Sequence, residues 1–251
     1  MEPSVADKWK IALADGGVLD EHQSLQLLRD FRIPAVATQL ANNTAQVMRA
    51  AQTLGFPVAL KTAKPGEHHK TDVDGVRLNL ADEQALQIAY AELASRLGPR
   101  ALVAPMAPAG VELALGMFTD ATVGPVVVLG PGGTLVEYFD ERLFAIPPFG
   151  TAKAKELLAR LRFSRVVAGA RGRDAVDLDG LAETVAAFSV LCATLSEQIA
   201  EIDVNPLLAS SSGTVAVDGL IVGHATQVVG GDSRYSAMSE STTAEHNPTT
   251  P

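Results

Sequence analysis

The run from Val58 to Val76, VALKTAKPGEHHKTDVDGV, constrains this chain more than any other stretch. Val58 to Leu60 is a short apolar strand that delivers Lys61. A loop broken by Pro65 and Gly66 follows, carrying His68, His69, Lys70, Thr71 and Asp72. A second strand, Gly75 to Leu80, takes the chain away, with Val76, Leu78 and Leu80 alternating against polar neighbours. Two lysines and two histidines on a strand–loop–strand unit would surround an anion well. Lys61 has a compact charge and three donors that suit a phosphate, although a lone lysine at a strand end also reads as a solvated surface residue. The adjacent histidines admit a hydrogen-bonding role or a metal pair beside a catalytic one. A histidine with a free pKa of about 6.5 is nucleophilic in its neutral form.

The formal net charge of −9 argues against a nucleic-acid or anionic-membrane partner. A phosphate ligand must therefore be held by a local basic cluster acting against the overall charge. The 251 residues suffice for one large or two modest domains, with 47% hydrophobic and 20% charged residues. A single cysteine, Cys192, excludes an internal disulfide and fits a reducing compartment. No apolar run reaches the roughly 18 residues of a membrane span, and the N-terminus lacks a signal-peptide core, so the expected compartment is cytoplasmic.

Residues 1–17 read as a leader ending in Gly16-Gly17. Asp20 caps a helix through Phe31, Thr44 to Leu54 forms another stopped by Gly55, and Asp82 caps a third that ends at Gly98-Pro99. With the strands between them, residues 18–105 form a first lobe, and Pro105 to Gly110 reads as a hinge. Residues 106–225 form a second lobe. It has strands at Val111 to Phe118 and Pro125 to Leu129, the turn Gly130-Pro131-Gly132-Gly133, and helices around Ala152 to Leu161 and Leu181 to Glu197. The last helix carries Leu181, Val185, Phe188, Leu191 and Leu195 in one stripe, continued at Ile199. From 226 to 251 there is almost nothing to bury, which predicts a disordered tail.

Two further features carry chemistry. Period-2 alternation from Ile199 to Asn205 puts Glu201, Asp203 and Asn205 on one face, and Pro206 closes the run. A turn centred between Ser211 and Ser212 then opposes Asn205 to Asp218 on a strand from Val215 to Val222, with Cβ atoms about 5 Å apart. An amide oxygen and a carboxylate so placed suit Mg²⁺; an exposed antiparallel pair with polar outer faces is the alternative. Gly132 and Gly133 offer backbone N–H groups to an anion, although Pro131 removes one donor and a plain tight turn explains the sequence equally well.

PVALK, HKTD, the Gly-Gly turn with Glu137, GARG at 169–172 and EIDVNPL occur in an order and spacing that resembles the ATP-grasp subunit of NDP-forming acyl-CoA synthetases, from about Leu19 to Val222. The resemblance implies an α/β, two-lobed ATP-grasp fold with nucleotide between the lobes. It implies a reversible reaction in which acyl-CoA, phosphate and ADP give the acid, CoA and ATP. His69, directly before Lys-Thr-Asp, corresponds to the histidine that is phosphorylated, with Lys70 beside it. Lys61 corresponds to a phosphate-binding lysine, and Glu112 to an acidic position near the nucleotide. Asn205 and Asp218 correspond to the Mg²⁺ ligands, with Glu201 as a further candidate. ATP or ADP and Mg²⁺ are the implied cofactors. The partner is an α-type subunit carrying the CoA-binding and CoA-ligase domains, for which this length has no room. The chain departs from the pattern at Asp74, where glycine is usual, and before Pro147-Pro148, where Phe144-Ala145-Ile146 replaces a frequent arginine and Arg142 stands too early. These departures would favour a non-catalytic nucleotide-binding regulatory subunit. A stand-alone ATP-grasp carboxylate–amine ligase is a further alternative.

Overall fold

The computed structural model describes residues 4–67, 70–133, 136, 140–163, 167 and 175–224. The elements come in the order α1 (Val5–Ala12), β1 (Val18–Leu19), α2 (Glu21–Asp30), β2 (Gln39–Ala41), α3 (Thr44–Leu54), β3 (Val58–Thr62), β4 (Val76–Leu80), α4 (Glu83–Leu97), β5 (Ala101–Pro105) and β6 (Val111–Asp120). They continue as β7 (Gly124–Pro131), β8 (Leu143–Ala145), α5 (Thr151–Arg160), α6 (Leu178–Thr194), β9 (Ile199–Ser210), β10 (Gly213–Ala216) and β11 (Leu220–Gly223). Among the described residues these strands make two antiparallel sheets. The smaller has the order β2-β5-β3-β4; the larger has the order β1-β11-β9-β6-β7-β8, with β10 paired to β9. The fold is mixed α/β, as expected.

Local signals place the helices. Asp20 accepts from the Gln23 N–H in a capping box, and the Asp82 and Asn43 side chains cap α4 and α3 by accepting from the Ala85 and Gln46 N–H groups. In the smaller sheet, Val58 and Leu60 of β3 pack with Val47, Ala50 and Ala51 of α3 and Leu86 and Leu93 of α4. The period of two then turns Ala59 and Lys61 to the opposite face, toward the larger sheet. In that sheet, Leu113, Leu115, Ile202, Val204 and Leu207 meet the stripe Leu181, Val185, Phe188, Leu191 and Leu195 of α6. The other face carries the polar residues of β9.

Four expectations need correction. Residues 1–17, read as a leader, carry helix α1, whose Trp9 is buried and donates its indole N–H to Asp30 at 2.9 Å. On β4 the alternation does not set burial. Leu78 is exposed because β4 is an edge strand, the pairing with β3 shifts register, and Asn79 has φ +57°. Pro206 ends the alternation without ending β9, which runs on to Ser210. The register shift between Leu113 and Leu115 opposes them to Leu207 and Val204, which absorbs Asn205-Pro206 as a bulge. Finally, the strand expected at Val215 to Val222 is two strands, β10 and β11, with residues 217–219 out of the ladder. The offset is unchanged across the break, since Ala216 opposes Leu207 and Leu220 opposes Asp203.

The putting of His68 and His69, Glu137, the GARG run at 169–172 and the 226–251 tail into this fold lies outside the described residues. No helix among the described residues is long and apolar enough to cross a membrane.

Candidate functional site

Lys61 is anchored on the face of β3 that looks toward the larger sheet, and only 8% of the residue is exposed. Its ammonium donates to Glu21 Oε1 at 2.6 Å, to the Val217 carbonyl at 2.9 Å and to Asp218 Oδ2 at 3.3 Å. Burial works against its charge, but the attraction of Asp218 and Glu21 and their hydrogen bonds outweigh it, so its pKa is raised. Lys70 enters from the loop after β3. Its Nζ lies 2.8 Å from Glu21 Oε2 and 3.9 Å from Asp218 Oδ1. Two lysines and two carboxylates, drawn from both sheets and the start of α2, thus form one closed group. Asp218 occupies the break between β10 and β11, where leaving the ladder frees its side chain to meet the lysines. Its Oδ1 also accepts the Gly219 N–H at 2.8 Å. An adjoining cavity of about 280 Å³ is lined by Glu21, Lys64, Lys70, Arg100 and Asp218.

Glu21 is the residue that sequence reasoning missed. It is the first residue of α2, where the helix dipole favours a carboxylate. Such a glutamate is ordinarily solvated, and nothing local announces that β3 passes over it.

A second group forms on the polar face of the larger sheet. Strand β7 runs through Gly130-Pro131, so the expected tight turn begins two residues later than the sequence implied. Gly132 donates its N–H to the Glu112 carbonyl at 3.0 Å, which uses the donor that was expected to face an anion. A side chain on Gly132 would overlap the Leu113 carbonyl, and one on Gly133 would overlap the Glu112 carboxylate. Gly133, at φ +50°, donates its N–H to Asn205 Oδ1 at 2.9 Å. Glu112, Gly132, Gly133 and Asn205 are therefore brought together. Arg142 lines a cavity of about 180 Å³ with Asp203 and Asn205, although it precedes β8 and looked too early in the sequence.

The expected direct pairing of Asn205 with Asp218 is not made, because residues 217–219 leave the ladder. Asn205 turns to Gly133, and Asp218 turns to the lysines. Asp218 lines the cavity beside Glu21 and Lys70, and Asn205 lines the one beside Asp203 and Arg142. Their donors are oxygens only, the hard set that Mg²⁺ takes together with water and phosphate, and in that sense they fit the metal. Among the described residues no group of three or more His, Cys, Asp or Glu side chains is arranged to hold a metal. Glu201 does not join them. Three residues of strand lie between it and Asn205, which places the two about 13 Å apart, more than one cation spans.

Asp74, expected to place negative charge beside the phosphate loop, is held elsewhere. It adopts φ +51°, the backbone a glycine would take, and its carboxylate accepts from Arg77 at 2.8 and 3.0 Å and from Arg96 at 2.8 Å. The hydrogen bonds from these two arginines lower its pKa from 3.8 to about 2. The clamp therefore contributes fully above the unfolded pKa of 3.8 and is lost as pH falls through about 2. An NMR titration should show the Asp74 carboxyl with a midpoint near 2, moving up toward 3.8 in Arg96→Ala.

Residues 11–222 match a family of ATP-grasp domains. The chain is 29% identical over 219 residues to the acetate–CoA ligase (ADP-forming) I subunit beta of Pyrococcus furiosus, an alignment covering 84% of this chain and 94% of that one. The fold superposes on Ca. Korarchaeum cryptofilum dinucleotide forming acetyl-coenzyme A synthetase 1, in complex with coenzyme A and Ca-AMPCP. The TM-score is 0.81 at 30% identity, covering 88% of this chain and all (100%) of the matched one. A further structure of that synthetase, with Mg-AMPPCP and its phosphohistidine segment pointing towards the nucleotide binding site, superposes with a TM-score of 0.75 at 30% identity, covering 86% and 97%.

Proposed function

This chain belongs to the ATP-grasp domain family, and from that premise we propose that it is the nucleotide-binding, β-type subunit of an ADP-forming acyl-CoA synthetase. The reaction it serves converts acyl-CoA, phosphate and ADP to the acid, CoA and ATP. The observation that carries this reading is the meeting of Lys61, Lys70, Glu21 and Asp218 between the two sheets, on the strand and loop that also contain His69. Residues 18–105 and 106–225 are taken as the lobes, with nucleotide between them.

In this reading His69 receives the phosphoryl group as a phosphohistidine and passes it to ADP. The bond from phosphorus to the imidazole nitrogen breaks as one to a β-phosphate oxygen of ADP forms, and the imidazole returns to its neutral form. Lys61 and Lys70 donate to the oxygens of the transferring group, and the Gly133 N–H, freed from Asn205, is a further donor. Fixed positive groups aimed at that charge are the main contribution a protein makes to such a step. Glu112 faces the ribose side of the nucleotide. Asn205 and Asp218 would hold Mg²⁺, which would supply further neutralisation of phosphate charge. With Asp74 clamped by two arginines and Arg142 in the wall beside Asn205, neither departure from the family pattern now favours a non-catalytic subunit.

The relative in Pyrococcus furiosus is named as a subunit beta, which supports a separate α-type partner that carries the CoA-binding and CoA-ligase domains. The purified chain should bind Mg-ADP and make no acyl-CoA. With the partner, acyl-CoA and labelled phosphate supplied, acid-labile phosphate should appear on the chain and transfer to ADP. Acyl-CoA synthesis by the isolated chain, or a complex that leaves it unlabelled, would overturn the reading.

A further inference from the structure

Glu21 is a buried carboxylate to which the reaction described above gives no task; its side chain is only 3% exposed. Its two oxygens hold lysines from different elements. Lys61 is fixed on β3, and Lys70 belongs to the loop that follows. Ammonium groups brought onto one carboxylate repel each other, and the anion between them keeps both in place. Lys61 is hydrogen bonded to Oε1, whereas Lys70 makes an ion pair with Oε2 that lacks hydrogen-bond alignment. The loop side of the bridge is therefore the looser one. Asp218 touches the same two lysines at 3.3 and 3.9 Å, but its side chain is 35% exposed. It is also one of the two oxygen donors suited to the metal. Once Asp218 turns to a cation, Glu21 remains as the anion between the lysines.

We propose that Glu21 is a positioning residue, the shared counter-ion that sets the spacing of Lys61 and Lys70 so that both ammonium groups meet one transferring phosphoryl group. This rests on the phosphoryl-transfer reading above and assigns that site a residue outside the set its motifs supply. It carries an opposed pair of consequences. A buried anion beside the phosphates weakens nucleotide binding, yet the geometry it imposes speeds transfer. Removing its charge without changing its shape should therefore separate the two, whereas a residue that only supports the fold would lower both.

The test uses Glu21→Gln in the complex with the α-type partner. Mg-ADP affinity is measured by calorimetry, and phosphate transfer from the labelled chain to ADP in a single turnover. The variant should bind Mg-ADP as tightly as wild type or up to about tenfold more tightly. Transfer should fall about 100-fold, the size expected when reacting groups are misplaced by about 1 Å. Lys70→Gln should slow transfer similarly, and the double variant should be no slower than the slower single one, because both changes break one bridge. Wild-type transfer in Glu21→Gln, parallel loss of binding and transfer, or losses that multiply in the double variant would each overturn the proposal. If Glu21→Gln lacks a cooperative unfolding transition, Glu21→Asp replaces it. That variant keeps the charge but is one methylene too short to span both lysines, so it should show slowed transfer with intact binding, and any other outcome would also overturn the proposal. A wild-type complex that transfers no phosphate would instead sink the functional reading, and this proposal with it.

Discussion

Lys61→Met is expected to abolish measurable binding of Mg-ADP and to lower folding stability by about 3 kcal/mol. The substitution keeps a long, flexible side chain but removes a buried cation that donates to Glu21, to the Val217 carbonyl and to Asp218. Breaking one side of a buried ion pair leaves the other charge without compensation, which typically costs about 3–5 kcal/mol. The lower end applies because Lys70 stays 2.8 Å from Glu21. A solvated lysine at a strand end, the alternative its sequence position admits, would change stability by no more than about 0.5 kcal/mol. Urea unfolding of the variant distinguishes the two, and calorimetry with Mg-ADP reads the binding. Lys61→Arg should also bind nucleotide poorly, because a planar guanidinium cannot bring one nitrogen to three oxygens as an ammonium does.

His69→Ala is expected to abolish phosphate incorporation and acyl-CoA turnover in the complex with the α-type partner, while Mg-ADP affinity stays within about twofold of wild type. A covalent relay has no substitute for its nucleophile, and the groups that hold nucleotide in this reading are elsewhere. The measurement is acid-labile label on the chain after supply of acyl-CoA and labelled phosphate, with calorimetry on the same preparation. A stand-alone ligase that joins a carboxylate to an amine would not need His69, so ATP-dependent carboxylate–amine ligation by the chain that is unchanged in His69→Ala would favour that alternative. Lys61→Met and His69→Ala thus separate the two parts of the site, one losing binding and the other losing transfer with binding intact.

Helices α2 to α6 and the longer strands were legible because their signals are local. Asp20, Asn43 and Asp82 cap helices through their own side chains within three residues, and the stripe from Leu181 to Leu195 is buried throughout as its spacing requires. The order of the motifs was enough to recognise the ATP-grasp family, and Lys61, Lys70, Asn205 and Asp218 could be picked out from them. The hairpin register was also legible, since the offset that pairs Ser210 with Gly213 persists to Val222 opposite Glu201. The break within it was not. Pro206, which has no N–H to give, stands opposite Val217, whose own N–H donates to the Pro206 carbonyl at 3.2 Å, and the partners of Asp218, Lys61 and Lys70, lie more than a hundred positions away in the chain.

By itself, then, the sequence indicated the family and most of the longer elements, because periodicity, capping and motif order act over a few residues or are kept in linear order; it passed over helix α1 and Glu21. Only the tertiary structure decided how those side chains are paired. It brought Glu21 under two lysines, turned Asp74 away between Arg77 and Arg96 and set Arg142 in one cavity wall with Asn205. The reason is that Coulombic pairing depends on distance through space, and a buried carboxylate takes its partners from whichever strand and loop the packing of the two sheets brings over it.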